Sequence, residues 1–277
     1  MKRLTLIPIG GLANRFNAIT SAIAFCRDYH IKLRVIWFKD KGMGANFHDL
    51  FELSEDVDKS MVEIIDAKWF HYIYDRPRRR NFWIPYIFQT KMFKKKSYEK
   101  DINSLGNSFD KILDMVTKYN DVYLVHCSLF YINNLNDIVI KNYIKERVEE
   151  VTSLFSEKRV IGIHVRRTDN VISKKNSPLE LFFKEMDKEL VADKNVFFYV
   201  ASDSLEEKKR LIVRYKERII TSFEQPQRNT YKGIVDALVE LYALSETEKI
   251  YGSSYSTFSK LAAQLTGIEL RILSLGF

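Results

Sequence analysis

The sequence has few of the residues that mark disulfide-rich, multi-linker or membrane-spanning proteins. It has 277 residues, of which 2 are cysteine, 5 are proline and 10 are glycine. Cys26 and Cys127 lie far apart inside apolar runs, which excludes a CxxC pair and favours buried thiols in a reducing compartment. No Pro/Gly/Ser-rich linker occurs, and no apolar stretch approaches the roughly 20 residues of a transmembrane helix.

The N-terminus has no signal-peptide pattern, since Met1 to Pro8 reads as a strand and runs directly into Gly10-Gly11. We therefore expect a cytoplasmic protein. The formal net charge of +8 permits phosphate, anionic-membrane or nucleic-acid partners and chooses none of them. It leaves open peripheral contact with the inner face of the membrane.

A basic run with aromatic neighbours is the one feature that favours a nucleic-acid partner. Arg76 to Arg80 lies beside Phe82, Trp83 and Tyr86, and interleaved Arg and aromatic side chains can stack single-stranded bases. Such runs are also common on loop faces and acceptor-binding edges. We expect no nucleic acid as the partner.

Signatures of metal or ATP chemistry are missing as well. The five histidines have neither HExxH nor zinc-finger spacing, and there is no Walker A sequence. Asp56-Val-Asp58 has the DxD pattern of some metal–diphosphate sites, but its polar surroundings predict a surface turn. We expect no metal and no cofactor.

The apolar pattern predicts an α/β protein with two βα alternations. Leu4–Ile9 and Lys32–Phe38 read as strands on either side of a helix, and Asp121–Cys127 reads as a further strand. A long helix is predicted from Asp137 to Phe155. The second alternation begins near Glu157, and its predicted strands are Arg159–Val165, Asn195–Ala201, Arg218–Thr221, Lys249–Tyr251 and Ile268–Leu273. These patterns predict two Rossmann-like halves facing a cleft, residues 1–155 and 156–277.

The most informative segment joins the strand Arg159–Val165 to a charged tip. His164-Val-Arg166-Arg167-Thr-Asp169 begins inside that strand and continues past its end. Ligands in open α/β sheets bind beyond the carboxyl ends of the strands. Two permanently charged guanidinium groups at that point predict a phosphate or diphosphate ligand, whereas a solvated basic loop paired with Asp169 is the simpler alternative.

A hydroxyl-rich segment follows a later predicted strand. Tyr251 to Ser259 contains Ser256 and Thr257 at the start of an apolar helix, with Phe258 next to them. Helix capping explains one serine, but free N–H groups and the helix dipole also form an anion site. Together with the arginine pair, this segment predicts a diphosphate held from two sides.

Three further groups complete the candidate residues. Gly10-Gly-Leu-Ala-Asn14-Arg15 follows the first strand and permits close backbone approach, although it is not GxGxxG. Asp203 lies at a strand end and either contacts the ligand or caps the next helix. Asp236 and Glu240 share one helix face, where a carboxylate can accept two N–H bonds from guanine.

Taken in order, these motifs resemble the fucosyltransferase superfamily, which includes α1,2-, α1,6-, nodulation and protein O-fucosyltransferases. The motifs that carry the resemblance are Gly10–Arg15, His164–Asp169, Ala201–Ser204, Glu240–Ser245 and Ser254–Ser259, whereas residues 60–150 carry no such match. The resemblance implies a GT-B-like fold, with acceptor binding in residues 1–155 and donor binding in 156–277. It also implies GDP-β-L-fucose as donor, inversion at the anomeric carbon and no required metal.

The resemblance also assigns roles to individual residues. Arg166 is expected to be the critical phosphate contact, and Asp169 and Asp49 are candidate bases. The expected donor contacts are Gly11, Asn14, Arg15, His164, Arg166, Arg167, Asp203, Glu240, Ser256, Thr257 and Phe258, with Asp236 as the substitute for Glu240. The usual carboxylate in the Glu240 position is aspartate.

The sequence thus predicts a bacterial-type fucosyltransferase that acts on a surface-polysaccharide or lipid-linked oligosaccharide acceptor. Two alternatives remain open. One is a glycosyltransferase that uses another nucleotide sugar, and the other is a non-catalytic nucleotide- or glycan-binding protein.

Overall fold

The computed structural model describes residues 2–103, 108–168 and 171–275. Contacts between Cα atoms divide the chain into two compact units, Met1–Lys141 and Asn142–Phe277. Each unit is built on a parallel sheet of five strands. The predicted α/β class is therefore confirmed.

The first unit has a sheet in the order β4-β2-β1-β6-β5, with every pair parallel. A small antiparallel pair, β3 with β7, lies outside it. The elements are β1 (Arg3–Pro8), α1 (Leu12–Asp28), β2 (Lys32–Trp37), α2 (Phe47–Leu50), β3 (Phe51–Leu53), β4 (Val62–Asp66), α3 (Ile84–Met92), β5 (Lys95–Ser97), α4 (Glu99–Asn103), α5 (Ser108–Lys118), β6 (Asp121–His126) and β7 (Ile138–Ile140).

The second unit has a sheet in the order β10-β9-β8-β11-β12, again parallel throughout. Its elements are α6 (Asn142–Thr152), β8 (Val160–Val165), α7 (Val171–Asn176), α8 (Leu179–Ala192), β9 (Phe197–Ser202), α9 (Leu205–Tyr215), β10 (Ile219–Ile220), α10 (Tyr231–Ser245), β11 (Lys249–Ser253), α11 (Thr257–Thr266) and β12 (Glu269–Leu273). All six residues of the central strand β8 are buried, which explains the apolar run in the sequence.

The core of the second unit fixes the position of β8. Ile161, Ile163 and Val165 pack in one cluster with Phe182 and Met186, and all five residues are fully buried. Burial of large aliphatic and aromatic side chains of this kind stabilises the folded state by about 1.5–3 kcal/mol each. This packing fixes where the carboxyl end of β8 lies in the second unit.

The long helix predicted from Asp137 to Phe155 is wrong at its start. Residues 138–140 form β7, which pairs with Phe51–Leu53, and the helix α6 begins at Asn142. Because α6 packs on α10, with Arg147 Nη2 2.7 Å from Asp236 Oδ1, it belongs to the second unit. The units consequently divide at residues 141 and 142, ahead of the predicted boundary at 155 and 156.

In the part of the chain that the structure describes, none of the helices combines the length and the apolar composition needed to cross a bilayer.

Candidate functional site

The carboxyl ends of β8, β9 and β11 lie side by side in the second unit, because β8 pairs with both of its neighbours. Side-chain hydroxyls form hydrogen bonds between the three strand ends. The backbone N–H of Arg166 donates to Ser253 Oγ at 3.0 Å, and Ser202 Oγ donates to the carbonyl of Val165 at 2.7 Å. The arginine pair and the hydroxyl-rich segment, which are far apart in sequence, thus lie on adjacent strand ends.

Asp203, at the tip of β9, braces the arginine segment. Its carboxylate accepts the backbone N–H of Arg167 at 2.7 Å and the hydroxyl of Thr168 at 2.8 Å. It also lies 3.2 Å from Arg166 Nε and 2.9 Å from Arg228 Nη2. The helix-capping alternative for Asp203 is wrong, because Ser204 caps α9 by accepting from the N–H of Glu207.

The two arginines have different environments. Arg167 is buried, with Nε 2.9 Å from Glu207 Oε1 and Nη1 2.9 Å from the carbonyl of Arg166. The side chain of Arg166 is 22% exposed. Asp203 therefore neutralises Arg166, and Glu207 neutralises Arg167, so neither guanidinium group needs a bound anion to balance its charge. Arg166 is the arginine that a ligand can reach, and Arg167 is placed to support the loop.

Asp169, the third charged residue of the motif, lies outside the described residues.

His164 stacks against Phe258 at the edge of the same cluster. Their ring centroids are 4.9 Å apart, with 22° between the ring planes. Burial lowers the pKa of His164 to about 3, Arg166 and Arg228 add to the shift, and Asp203 opposes it. The imidazole is therefore neutral near pH 7. Its Nδ1 is buried without a hydrogen-bond partner among the described residues.

Helix α11 begins just beyond the carboxyl end of β11. Ser256 is its N-cap residue, and Thr257 is the first residue of the helix. The hydroxyl of Ser256 is buried and makes no hydrogen bond within the described part of the chain. The backbone N–H groups at a helix start, the positive end of the helix dipole and the hydroxyl of Ser256 together favour an anion.

Gly252 allows α11 to lie this close to β11. A Cβ atom at this position would be 2.8 Å from Ser259 Oγ and 3.1 Å from Leu270 Cδ1. Glycine thus sets the distance between the strand and the helix start that follows it.

The two predicted guanine-binding carboxylates are engaged with basic side chains. Glu240 Oε1 lies 2.5 Å from Nζ of the fully buried Lys208, and burial raises the pKa of Glu240. Asp236 lies 2.7 Å from Arg147 and 3.2 Å from Lys232. These pairs explain both carboxylates without a ligand, so a base contact through either one stays a prediction.

In the first unit, the structure gives Arg15 a supporting role in place of the predicted donor contact. Arg15 is fully buried, and its guanidinium donates to the carbonyls of Gly10 and Phe38 and to Asp40 Oδ2. These bonds tie the loop after β1 to the end of β2. Gly10 has a φ of 87°, a left-handed conformation that glycine adopts without strain.

The neighbouring loop residues are more accessible. Gly11 and Asn14 are half-buried, and open space surrounds the position of a Cβ atom on Gly11. Both therefore remain candidate contacts.

Asp49 has a local structural explanation. It is exposed and forms the capping box of α2, where its Oδ2 accepts the backbone N–H of Asn46 at 3.2 Å. A catalytic role for Asp49 stays a prediction.

A cavity of about 740 Å³ in the first unit was not foreseen from the sequence. It lies beside the ends of β1 and β6. Its lining residues are Ile9, Arg76, Pro77, Arg78, Arg79, Trp83, Tyr86, Tyr98, Glu99, Lys100, Asp101 and Val125. Cys127 Sγ donates to Glu99 Oε1 at 3.0 Å, which positions that carboxyl group.

Arg228 and Lys208 were also missed. Arg228 lies in the loop before α10 and reaches Asp203, whereas Lys208 is buried in α9. Both contact carboxylates 25 or 32 residues away, so no local motif marks them. The described residues contain no group of three or more His, Cys, Asp and Glu side chains that could hold a metal ion.

No family model and no curated protein matches the sequence. Solved structures do match. NodZ α-1,6-fucosyltransferase soaked with GDP-fucose has a TM-score of 0.66 and 18% identity over 96% of this chain and 93% of that one. POFUT1 in complex with GDP has a TM-score of 0.59 and 11% identity over 99% and 98%. A mutant of Arabidopsis thaliana FUT1 in complex with GDP has a TM-score of 0.63 and 18% identity over 98% and 70%.

The chain has the fold of these fucosyltransferases. At such low identity, the likeness establishes the fold and leaves the activity to be argued from the residues. The fucosyltransferase fold was predicted from the order of motifs along the chain, and that prediction is confirmed. The candidate site lies in the second unit of this fold, at the strand ends where open α/β sheets bind ligands.

Proposed function

We propose that this protein is an inverting fucosyltransferase that moves L-fucose from GDP-β-L-fucose to a hydroxyl of a glycan acceptor. The observation that carries the proposal is that Arg166 and the segment leading into α11 follow adjacent strand ends, which the bond from the Arg166 N–H to Ser253 Oγ joins. The fold is that of NodZ soaked with GDP-fucose and of POFUT1 bound to GDP, which supports GDP as the nucleotide.

In this proposal the second unit binds the donor. The guanidinium of Arg166 and the N–H groups at the start of α11 contact the diphosphate, and the hydroxyls of Ser256 and Thr257 complete its surroundings. Negative charge grows on the diphosphate as the glycosidic bond breaks and the sugar becomes oxocarbenium-like. Fixed donors aimed at that charge lower the barrier, and each is worth about 3–4 kcal/mol.

Other residues of the site keep these donors in place. Asp203 holds the backbone of the arginine segment and fixes Arg166 together with Arg228. The buried Arg167 anchors the same segment to Glu207. Because His164 is neutral, its imidazole can donate or accept a hydrogen bond without adding charge. Phe258 lies against that ring and is proposed to contact the nucleotide base.

The proposed reaction needs no metal and no cofactor, since arginine and helix N–H groups stabilise the leaving diphosphate. Inversion requires the acceptor hydroxyl to attack opposite this leaving group, with Asp169 or Asp49 as the proposed base.

The first unit is proposed to bind the acceptor. Its cavity has the aromatic side chains Trp83, Tyr86 and Tyr98, whose faces suit sugar rings, and the carboxylates of Glu99 and Asp101. A surface polysaccharide or a lipid-linked oligosaccharide is the proposed acceptor, which places the enzyme in the cytoplasm at the inner face of the membrane.

A donor panel tests the proposal. We expect GDP to raise the melting temperature more than UDP, ADP or CMP do, because a ligand that binds the native state alone stabilises it. Incubation with GDP-fucose and glycan acceptors should then yield an α-fucosylated product. A preference for UDP, or donor binding without transfer or hydrolysis, would contradict the proposal and favour another nucleotide sugar or a non-catalytic protein.

A further inference from the structure

The net charge of the chain is concentrated in one segment of the first unit. Residues 68–96 contain nine lysines and arginines and a single acidic residue, Asp75, whereas the rest of the chain contains 35 basic and 35 acidic residues. A segment of 29 residues thus accounts for the entire formal charge of +8. We refer to residues 68–96 as the basic aromatic segment.

The same segment exposes large apolar side chains. Trp69 is 85% exposed and Phe82 is 82% exposed. The exposed set is Trp69, Phe70, Tyr72, Phe82, Trp83, Ile84, Tyr86, Ile87, Phe88 and Met92. Scattered exposed apolar residues are ordinary, but a concentration of ten within 25 positions marks an interaction surface.

Helix α3 within this segment has its apolar side turned outward. Ile84, Ile87 and Phe88, at spacings of three and four, are exposed on one face. The polar Gln89 is fully buried, where its amide donates to the carbonyls of Ile73 and Asp75 at 2.8 Å each. This is the reverse of a helix that faces water.

We propose that the basic aromatic segment is a docking surface for an anionic phospholipid membrane. A helix that presents aliphatic and aromatic side chains beside lysines and arginines is suited to the interface between headgroups and acyl chains. Tryptophan and tyrosine favour that depth, and each basic residue near an anionic surface adds attraction. Positive charge alone also suits RNA, but the outward aliphatic groups of Ile84, Ile87 and Met92 gain nothing from base stacking.

Tryptophan fluorescence can report whether this segment enters a membrane. The protein has three tryptophans, of which Trp37 is buried while Trp69 and Trp83 are exposed in the segment. Vesicles of phosphatidylcholine with phosphatidylglycerol should bind the protein in co-sedimentation and shift its tryptophan emission to the blue. Vesicles of phosphatidylcholine alone should bind the protein at least about tenfold more weakly. Added salt should reduce binding to the anionic vesicles.

Matched surface variants separate this segment from the rest of the protein. The pairs Ile87→Ser with Phe88→Ser, and Arg79→Glu with Arg80→Glu, should each weaken vesicle binding about tenfold or more. The control pairs, Val191→Ser with Val213→Ser and Lys184→Glu with Lys209→Glu, change exposed side chains of the second unit and should bind as the parent does. Unchanged melting temperatures show that each variant is folded.

Failure to bind anionic vesicles, an unshifted tryptophan emission, or equal losses in the control pairs would overturn the proposal. Competition provides a further test, in which single-stranded RNA or soluble phosphatidylglycerol headgroup displaces the protein from anionic vesicles. If RNA displaces the protein at a lower concentration than the headgroup does, the proposal is overturned in favour of a nucleic-acid surface. These measurements use neither donor nor acceptor, so their outcome is independent of whether the fucosyltransferase proposal holds.

Discussion

At the level of single residues, the arginine pair combines two tasks that look alike in sequence. Arg166 remains partly exposed beside Asp203, whereas Arg167 is buried against Glu207. Their carboxylate partners lie 36 and 40 residues away from Arg167, beyond the range of any local motif. The sequence therefore predicted a candidate anion-binding position at this strand end, and only the structure distinguishes the accessible guanidinium from the buried one.

We expect Arg166→Ala to reduce fucosyl transfer about 100- to 1000-fold, because removing one fixed donor to a developing charge costs about 3–4 kcal/mol. The melting temperature should change little, since the side chain is partly exposed. Steady-state transfer from GDP-fucose measures the loss. Arg271→Ala, an exposed arginine of the same unit, is the matched control. Transfer by Arg166→Ala at the parental rate would refute the assigned role.

His164 predicts a pH dependence of stability. Its pKa in the folded protein is about 3, below the ordinary value of 6.5, so the unfolded chain binds the extra proton between these pH values. Stability should therefore fall as pH drops from 6.5 toward 3 and be independent of this residue above 6.5. Each unit of pKa depression corresponds to about 1.4 kcal/mol.

Thermal unfolding of the parent and of His164→Gln across this pH range tests the expectation. The variant should show a shallower decline. Identical slopes in the two proteins would show that His164 is protonated in the native state and that its surroundings are not as described.

At the level of secondary structure, regular apolar patterns predicted most elements of the second unit. The five strands predicted after Glu157 correspond to β8 to β12, and each predicted end lies within two residues of the observed one. The sequence pattern predicts no strand or helix between Asp40 and Asn120, because the strands of this segment are short and its helix α3 exposes apolar residues. Ile138–Ile140 was mistaken for helix because a strand of three residues has too few positions to show its period.

The contact between β11 and α11 gives a prediction at this scale. Gly252→Ala should lower stability by about 1–3 kcal/mol and weaken GDP binding, because the added methyl group meets Ser259 and Leu270 and pushes the helix start away from the strand tips. Denaturant unfolding and GDP titration measure the two effects. Gly42→Ala is the control, since its Cβ atom would make only an ordinary contact with Asp40. Equal behaviour of the two variants would contradict the close approach.

At the level of the whole molecule, the sequence predicted two α/β domains and their order along the chain. Composition gives the total charge of the chain. The concentration of positive charge in residues 68–96 indicates a binding surface only once the exposed aromatic residues of that segment are known. The cavity of the first unit could not be predicted from the sequence either, because its lining residues come from four separate stretches of that unit.

The proposed mode of diphosphate binding predicts metal-independent transfer. Excess EDTA should leave fucosyl transfer unchanged, because arginine and helix N–H groups stabilise the departing diphosphate. Initial rates with EDTA, and with added Mg²⁺ or Mn²⁺, provide the measurement. A loss of activity that Mn²⁺ restores would contradict this mechanism and bring Asp56 and Asp58 back as candidate ligands.

We propose that one diphosphate is held between Arg166 and the start of α11. A crystal structure of the protein soaked with GDP-fucose tests it most directly. We expect diphosphate oxygens within hydrogen-bonding distance of the Arg166 guanidinium and of backbone N–H groups at Thr257 or Phe258. A diphosphate bound on another surface, with these groups untouched, would contradict it.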